Sequence, residues 1–178
     1  MDEIVEYMVK RKWSTDLKSE RKIYLLQLAR QSKASAEISE KIGAMLIYNQ
    51  VIEQFLADII ELSIYYIKAE IWPASVQLKV DFEKTTFGKM IELFKQYATI
   101  EYNRDTLLSY LKEYKTKRNQ VVHKLFDIED FAALSKELDQ YADLADEIVH
   151  LLAEYDNQVC EKFCDLDQRV DFCDFLEC

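Results

Sequence analysis

Leu107-Leu108-Ser109-Tyr110-Leu111-Lys112-Glu113-Tyr114-Lys115-Thr116-Lys117-Arg118-Asn119-Gln120-Val121-Val122-His123-Lys124-Leu125 repeats apolar side chains at 107, 111, 114, 121 and 125, and Arg118 fills the remaining place of the series. Alternating steps of four and three make the stripe of a helix that faces other helices. Arg118 therefore stands where the stripe calls for an apolar group. His123, one of 2 histidines in the chain, follows just over one turn later. Burying an unpaired guanidinium costs several kcal/mol after relaxation. The fold must pair Arg118 with a carboxylate or turn it toward a polar cleft.

The rest of the chain agrees with a helical reading. It has 178 residues, 49% of them hydrophobic, with 2 glycines and 1 proline. So few helix breakers leave little room for hairpins. The expectation is all-α: an up-and-down helical bundle of five to six helices. The bundle is assigned to residues 1–160, with its motif core in 35–160, and 161–178 form an acidic, Cys-containing tail.

A first helix is predicted over Asp2–Lys12, and a second over Asp16–Ser35. The second carries apolar Leu17, Tyr24, Leu25 and Leu28, with Lys18, Arg21, Lys22 and Arg30 around them. A long third helix begins at Ser35 and carries Ile38, Ile42, Met45, Ile52, Leu56, Ile59 and Tyr66. Leu46, Val51, Phe55 and Ile60 widen that stripe, as in a central helix covered on several sides. Trp72-Pro73 ends it, because the residue before proline is pushed out of helical geometry.

Thr85-Thr86-Phe87-Gly88 reads as the next helix start, a threonine accepting from first-turn amides. The motif helix spans Asn103–Lys124, and Asp127 to Asp130 offer caps for the last helix. That helix repeats Phe131, Leu134, Leu138, Tyr141, Ala145, Ile148, Leu152, Tyr155 and Val159.

Net charge is -10, which taken alone argues against a nucleic-acid partner. The charge is unevenly spread. Residues 127–178 hold 16 acidic and 3 basic residues, whereas 1–126 hold 17 acidic and 20 basic. Between Lys112 and Lys124, five cationic side chains face Glu113 alone, so the local sign is positive. The apolar stretch from Val51 to Ile71 is interrupted by Glu53, Asp58, Glu61, Lys68 and Glu70, and no membrane span is expected. Met1-Asp2-Glu3 shows no basic-then-apolar leader pattern, and the expected location is cytoplasmic. Cys160, Cys164, Cys173 and Cys178 lack a neighbouring histidine and a zinc-like spacing, so no metal and no cofactor are assigned.

Arg118-Asn119, three further residues and His123 near the end of a bundle helix resemble the HEPN superfamily, whose motif is Arg, four to six residues, then His, often with a polar residue directly after the Arg. Thr86-Phe87-Gly88-Lys89-Met90-Ile91 upstream is similar to the helix start of many bacterial members. The resemblance spans roughly residues 35–160. It implies a bundle that commonly forms a homodimer, its two motifs facing each other across a cleft. It also implies an endoribonuclease that needs no metal, in a toxin–antitoxin or phage-defence setting, with RNA and an antitoxin protein as partners. Other members are non-catalytic RNA-binding or scaffolding bundles. HEPN toxins controlled by a nucleotidyltransferase antitoxin place a Tyr two residues after the His; Leu125 stands there instead, so inactivation by that route is not expected.

Chemically, the 2′-hydroxyl of RNA is the nucleophile. A free imidazole titrates near ~6.5, so His123 is the candidate to move a proton at neutral pH. The planar fork of Arg118 suits phosphate oxygens. Asn119, one turn before His123, orients the imidazole or holds a phosphate. Glu53 is the candidate supporting group from the central helix, and Lys115, Lys117 and Lys124 are candidate RNA contacts. On an ideal helix Arg118 and His123 diverge by about 140°. They meet only if the helix loosens, if Arg118 reaches round, or if a second subunit supplies one of them. An architectural reading stands beside this: Arg118 pairs with Glu53, Asp58 or Glu61 to fix helix register, and His123 caps the helix end.

Overall fold

The periodicity of the central stretch resolves into one helix of 33 residues, α2 (Ile38–Glu70), against which the rest of the chain is arranged. The computed structural model describes residues 17–71, 78, 80–125 and 130–167. Among them lie five α-helices and no strand: α1 (Leu17–Lys33), α2, α3 (Phe87–Tyr97), α4 (Arg104–Lys124) and α5 (Phe131–Asp167). A 3-10 turn, Phe82–Lys84, precedes α3. The architecture is an all-α, up-and-down bundle. Its most extensive interface joins α2 to α5, with α1 and α3 against α2 and α4 against α5. The expected helix over Asp2–Lys12, the Trp72-Pro73 stop and the acidic residues 127–129 lie outside the described residues.

The helix ends have local causes. The Thr86 hydroxyl oxygen accepts from the Lys89 amide at 3.4 Å, which caps α3 as the sequence predicts. Asp130 accepts from the amides of Ala132 (2.9 Å) and Ala133 (3.1 Å) and so opens α5. Asn103, which precedes α4, is left-handed with φ 53°, a conformation that Asn tolerates better than most residues. α5 continues without a break to Asp167.

The core follows the predicted stripes closely. Met45, Ile52, Leu56 and Ile59 of α2 are buried, and so are Val51, Phe55 and Ile60. From Leu134 to Val159, every member of the α5 series is buried. Each such side chain contributes roughly 1.5–3 kcal/mol when fully withdrawn from water. Ile38, Ile42 and Tyr66 of the predicted stripe are only half-buried, and two further expected positions, Leu46 (55% exposed) and Phe131 (61% exposed, at the very start of α5), lie outside the core.

Helix α1 departs further. Its inward face is Lys22, Leu26 and Ala29, whereas Tyr24 is 63% exposed and Leu25 and Leu28 are half-buried. The buried lysine is matched on both its parts. The ammonium pairs with Asp58 of α2 and lies 4.7 Å from the centre of the Phe55 ring, while its stem packs as a hydrocarbon.

The uneven charge of the chain is answered inside the bundle. Arg30 Nε lies 3.1 Å from Asp146 Oδ1, and Lys33 Nζ lies 2.8 Å from Asp143 and 3.0 Å from Asp146. Lys41 reaches Asp139 at 2.6 Å and Ser135 at 2.9 Å. The Tyr48 hydroxyl donates to Asp146 at 2.8 Å, and burial, then that carboxylate, pushes its pKa upward. The acids of α5 thus take up cations of α1 and α2.

Candidate functional site on helix α4

The α4 stripe is built as its spacing predicts. Leu107, Leu111, Tyr114 and Val121 are buried, and Arg118 interrupts them at 33% side-chain exposure. Its guanidinium Nη1 lies 3.6 Å from Glu53 Oε1 of α2, the first of the three carboxylates expected as partners. The same guanidinium stands 5.8 Å from the centre of the Phe87 ring, at the start of α3. Burial raises the Glu53 pKa and the Arg118 charge pulls it down, with burial the larger effect.

One turn before each member of that pair lies a second polar layer. Asn49 precedes Glu53 by four residues on α2, and Tyr114 precedes Arg118 by four on α4. The rings of Tyr114 and Tyr141 stack with centroids 4.5 Å apart, and Phe87 meets Tyr114 edge-on at 5.8 Å. The Tyr141 hydroxyl donates to Asn49 Oδ1 at 2.7 Å. The Tyr114 hydroxyl is fully buried beside Tyr141 yet makes no hydrogen bond of acceptable geometry. Burial holds both phenols above their ordinary range. Apolar spacing does not show this layer, since Tyr114 and Tyr141 enter it only as stripe positions. A hydroxyl on a seam residue leaves no trace in hydrophobic periodicity.

The other motif residues lie elsewhere. Asn119, Gln120 and His123 are exposed, as are Lys112 and Lys115. Lys117 is tied at 2.9 Å to Glu113 on its own helix. The side chain of Lys124 lies outside the described residues. Helix α4 remains regular through the motif, with the Leu125 amide donating to the Val121 carbonyl at 3.0 Å. There is no loosening near His123 to bring it round to Arg118. Within one chain the structure joins Arg118 to Glu53, while ideal helix geometry carries His123 about 140° round the axis and ~7.5 Å along it. His150, assigned no role from sequence, faces Glu154 at 3.3 Å on the surface of α5.

Among the described residues no three His, Cys, Asp or Glu side chains are grouped so as to hold a metal ion. No described helix is long and apolar enough to cross a membrane. No family model, curated protein or solved structure matches the chain.

Chemically, α4 offers two unlike surfaces. The inward one is a half-buried ion pair resting on aromatic rings. The outward one presents two ammonium groups, two carboxamides and an imidazole to solvent.

Proposed function

We propose that this chain is a non-catalytic, HEPN-like helical module that binds RNA through the exposed face of α4. One observation carries the reading: Arg118 is engaged inside the protein by Glu53, while Lys112, Lys115, Asn119 and His123 stand open to solvent. Cations bind a phosphate backbone largely by releasing its counterions, so affinity falls with salt. Carboxamide and imidazole groups add hydrogen bonds to phosphates or to unstacked bases. Asn119 and His123 thus act in binding, and Arg118 holds α4 in register on α2.

Fluorescence anisotropy with a labelled single-stranded RNA tests this. The joint variant Lys112→Glu, Lys115→Glu should weaken binding and flatten the plot of log affinity against log salt by ~0.7 for each phosphate no longer neutralised. Equal affinity and slope for the variant would remove α4 as the RNA-binding surface.

A second reading is favoured by the exposure of His123 and of one third of Arg118. Both groups are open to solvent, and two facing protomers would bring the Arg118 of one to the His123 of the other. In that reading the homodimer is an endoribonuclease of a toxin–antitoxin or phage-defence system. The 2′-oxygen attacks phosphorus, the 5′-oxygen leaves, and His123 moves a proton between solvent and one of those oxygens. The products are a 2′,3′-cyclic phosphate and a 5′-hydroxyl. Cleavage in EDTA that is abolished in His123→Ala, with the helical spectrum intact, supports it; cleavage unchanged in that variant eliminates His123 from the reaction.

A further inference from the structure

Arg118 is held more loosely than its place in the α4 stripe suggests. A guanidinium is a fork of N–H donors and grips a carboxylate with two parallel hydrogen bonds where geometry allows. Here a single nitrogen, Nη1, approaches Glu53 Oε1 at 3.6 Å, longer than the roughly 2.7–3.2 Å of a hydrogen bond. Neither side chain makes a hydrogen bond among the described residues. Both keep about a third of their surface in water, at 33% and 37% exposure.

The edge of α4 that Arg118 can reach already holds a second cation. Lys115 precedes it by three residues, so the two are neighbours on the helix surface. The Lys115 ammonium lies at Gly88, 2.7 Å from where a β-carbon would stand, and the Arg118 guanidinium lies at Phe87 beside it. Both cations thus flank the start of α3, whose first turn contains no acidic residue. Lys115 makes no ion pair among the described residues, and Glu53 is the one carboxylate paired with Arg118 there.

Glu53 has few other charges to answer to. Arg21 and Lys22 of α1 line the cleft beside it, but Lys22 is committed to Asp58. The groups that the 3-10 turn, α3 and α2 itself add to that lining are not ionisable. The phenols of Tyr114 on α4 and Tyr141 on α5 lie within electrostatic reach, and burial holds both above their ordinary range. Arg118 is the charge that lowers the Glu53 pKa, against a larger upward push from burial.

We propose that Glu53 is an internal competitor that keeps Arg118 from an anion outside the protein. While Glu53 is ionised, the guanidinium stays against α2. When a proton removes that charge, Arg118 joins Lys115 and takes a phosphate of the RNA as a two-pronged donor. The inference rests on the RNA-binding reading of α4 and adds a switch to it. One partly exposed contact is exchanged, so affinity should change by about fivefold.

Fluorescence anisotropy with single-stranded RNA at pH ~8, where a free imidazole is uncharged, tests it. Glu53→Gln should bind about fivefold more tightly than the parent and steepen the salt dependence by ~0.7, one phosphate more. Adding Arg118→Met to Glu53→Gln should cancel that gain. Glu154→Gln, the same change of charge on α5, should leave affinity unchanged. In a His123→Gln background the parent should approach the Glu53→Gln affinity as the pH is lowered to ~5, while Glu53→Gln stays level. A second readout needs no RNA: the Arg118 Nε–H signal in ¹H–¹⁵N spectra should shift in Glu53→Gln and respond to lower sulfate concentrations than in the parent. If no variant binds RNA while this signal behaves so, the RNA reading fails and the switch is supported. Three results overturn the switch: measurable RNA affinity unchanged by Glu53→Gln, a gain that survives Arg118→Met, or an Arg118 signal with the same sulfate response in both proteins.

Discussion

Removing the charge of Glu53 gives the sharpest test of how Arg118 is held. At 3.6 Å and an effective dielectric near ~20, the Coulomb attraction of the pair is ~4–5 kcal/mol before any cost is counted. Each side chain keeps about a third of its surface in water, and burial outweighs Arg118 in setting the Glu53 pKa. Desolvation therefore cancels most of the attraction, and the net coupling should be about 1 kcal/mol. A double-mutant cycle of Glu53→Gln and Arg118→Met, followed by urea unfolding, measures it. The pH dependence adds an independent sign. Glu53 is an acid whose folded pKa is raised, so the native state binds its proton more tightly than the unfolded chain does. Its contribution to stability must fall as pH rises from the ordinary carboxylate value up to the folded one. Glu53→Gln should abolish that decline in the difference curve, and Arg118→Met should deepen it by leaving the carboxylate with burial alone. A coupling of zero, or a decline unchanged in Glu53→Gln, would refute the assignment of Glu53 as the partner of Arg118.

Other changes have expected outcomes of the same kind. Tyr141→Phe leaves buried Asn49 without its donor and should cost about 1–2 kcal/mol, whereas Tyr114→Phe removes a hydroxyl with no partner and should be neutral or stabilising; equal destabilisation in denaturant titrations would mean that Tyr114 has an acceptor. Lys22→Met leaves Asp58 at 22% exposure without its cation and should destabilise by about 3 kcal/mol, with Asp58→Asn restoring part of the stability in thermal melts. Gly88→Ala places a methyl 2.7 Å from Lys115 Nζ, the far end of a flexible chain that can swing aside. The gain in helix propensity, up to ~1 kcal/mol, should dominate and raise the melting temperature.

Much of the bundle is written in apolar spacing, because a helix that must bury one face repeats that face every three or four residues. The α5 series and the α4 stripe are legible for that reason, as is the Thr86 cap. Spacing tells which side of a helix is greasy; it does not tell whether a neighbour covers it. Leu46, Tyr24 and Phe131 are the result, all largely exposed. Lys22 fails in the opposite sense. A lysine inside α1 reads as solvated, and only the Asp58 carboxylate and the Phe55 ring of another helix make its burial tolerable. At the candidate site, Arg118 stands out because a charge in an apolar stripe violates a local rule. The Tyr141–Asn49 bond violates none, so it stays hidden until α2 and α5 are seen side by side.

The charge map connects fold and proposed function. An acidic chain is a poor prospect for RNA if its charge is averaged over the surface. Here part of the acidity is neutralised locally. Asp139, Asp143 and Asp146 face Lys41, Lys33 and Arg30, and Asp58 faces Lys22. Lys117 is likewise neutralised by Glu113. Lys112 and Lys115 make no ion pair among the described residues, and both are exposed. At physiological salt the field of distant carboxylates decays over ~8 Å, so a ligand arriving at α4 meets chiefly these nearby cations. Reversing the two lysines alters net charge twice as much as neutralising two acids toward the other end of α5, and in the opposite direction. If net charge alone governed binding, Glu154→Gln with Glu161→Gln would raise the logarithm of RNA affinity by about half of what the lysine reversal takes away. A local site at α4 instead requires the acid variants to leave affinity nearly unchanged while the lysine reversal weakens it strongly. The half-sized gain would therefore leave α4 with no special place.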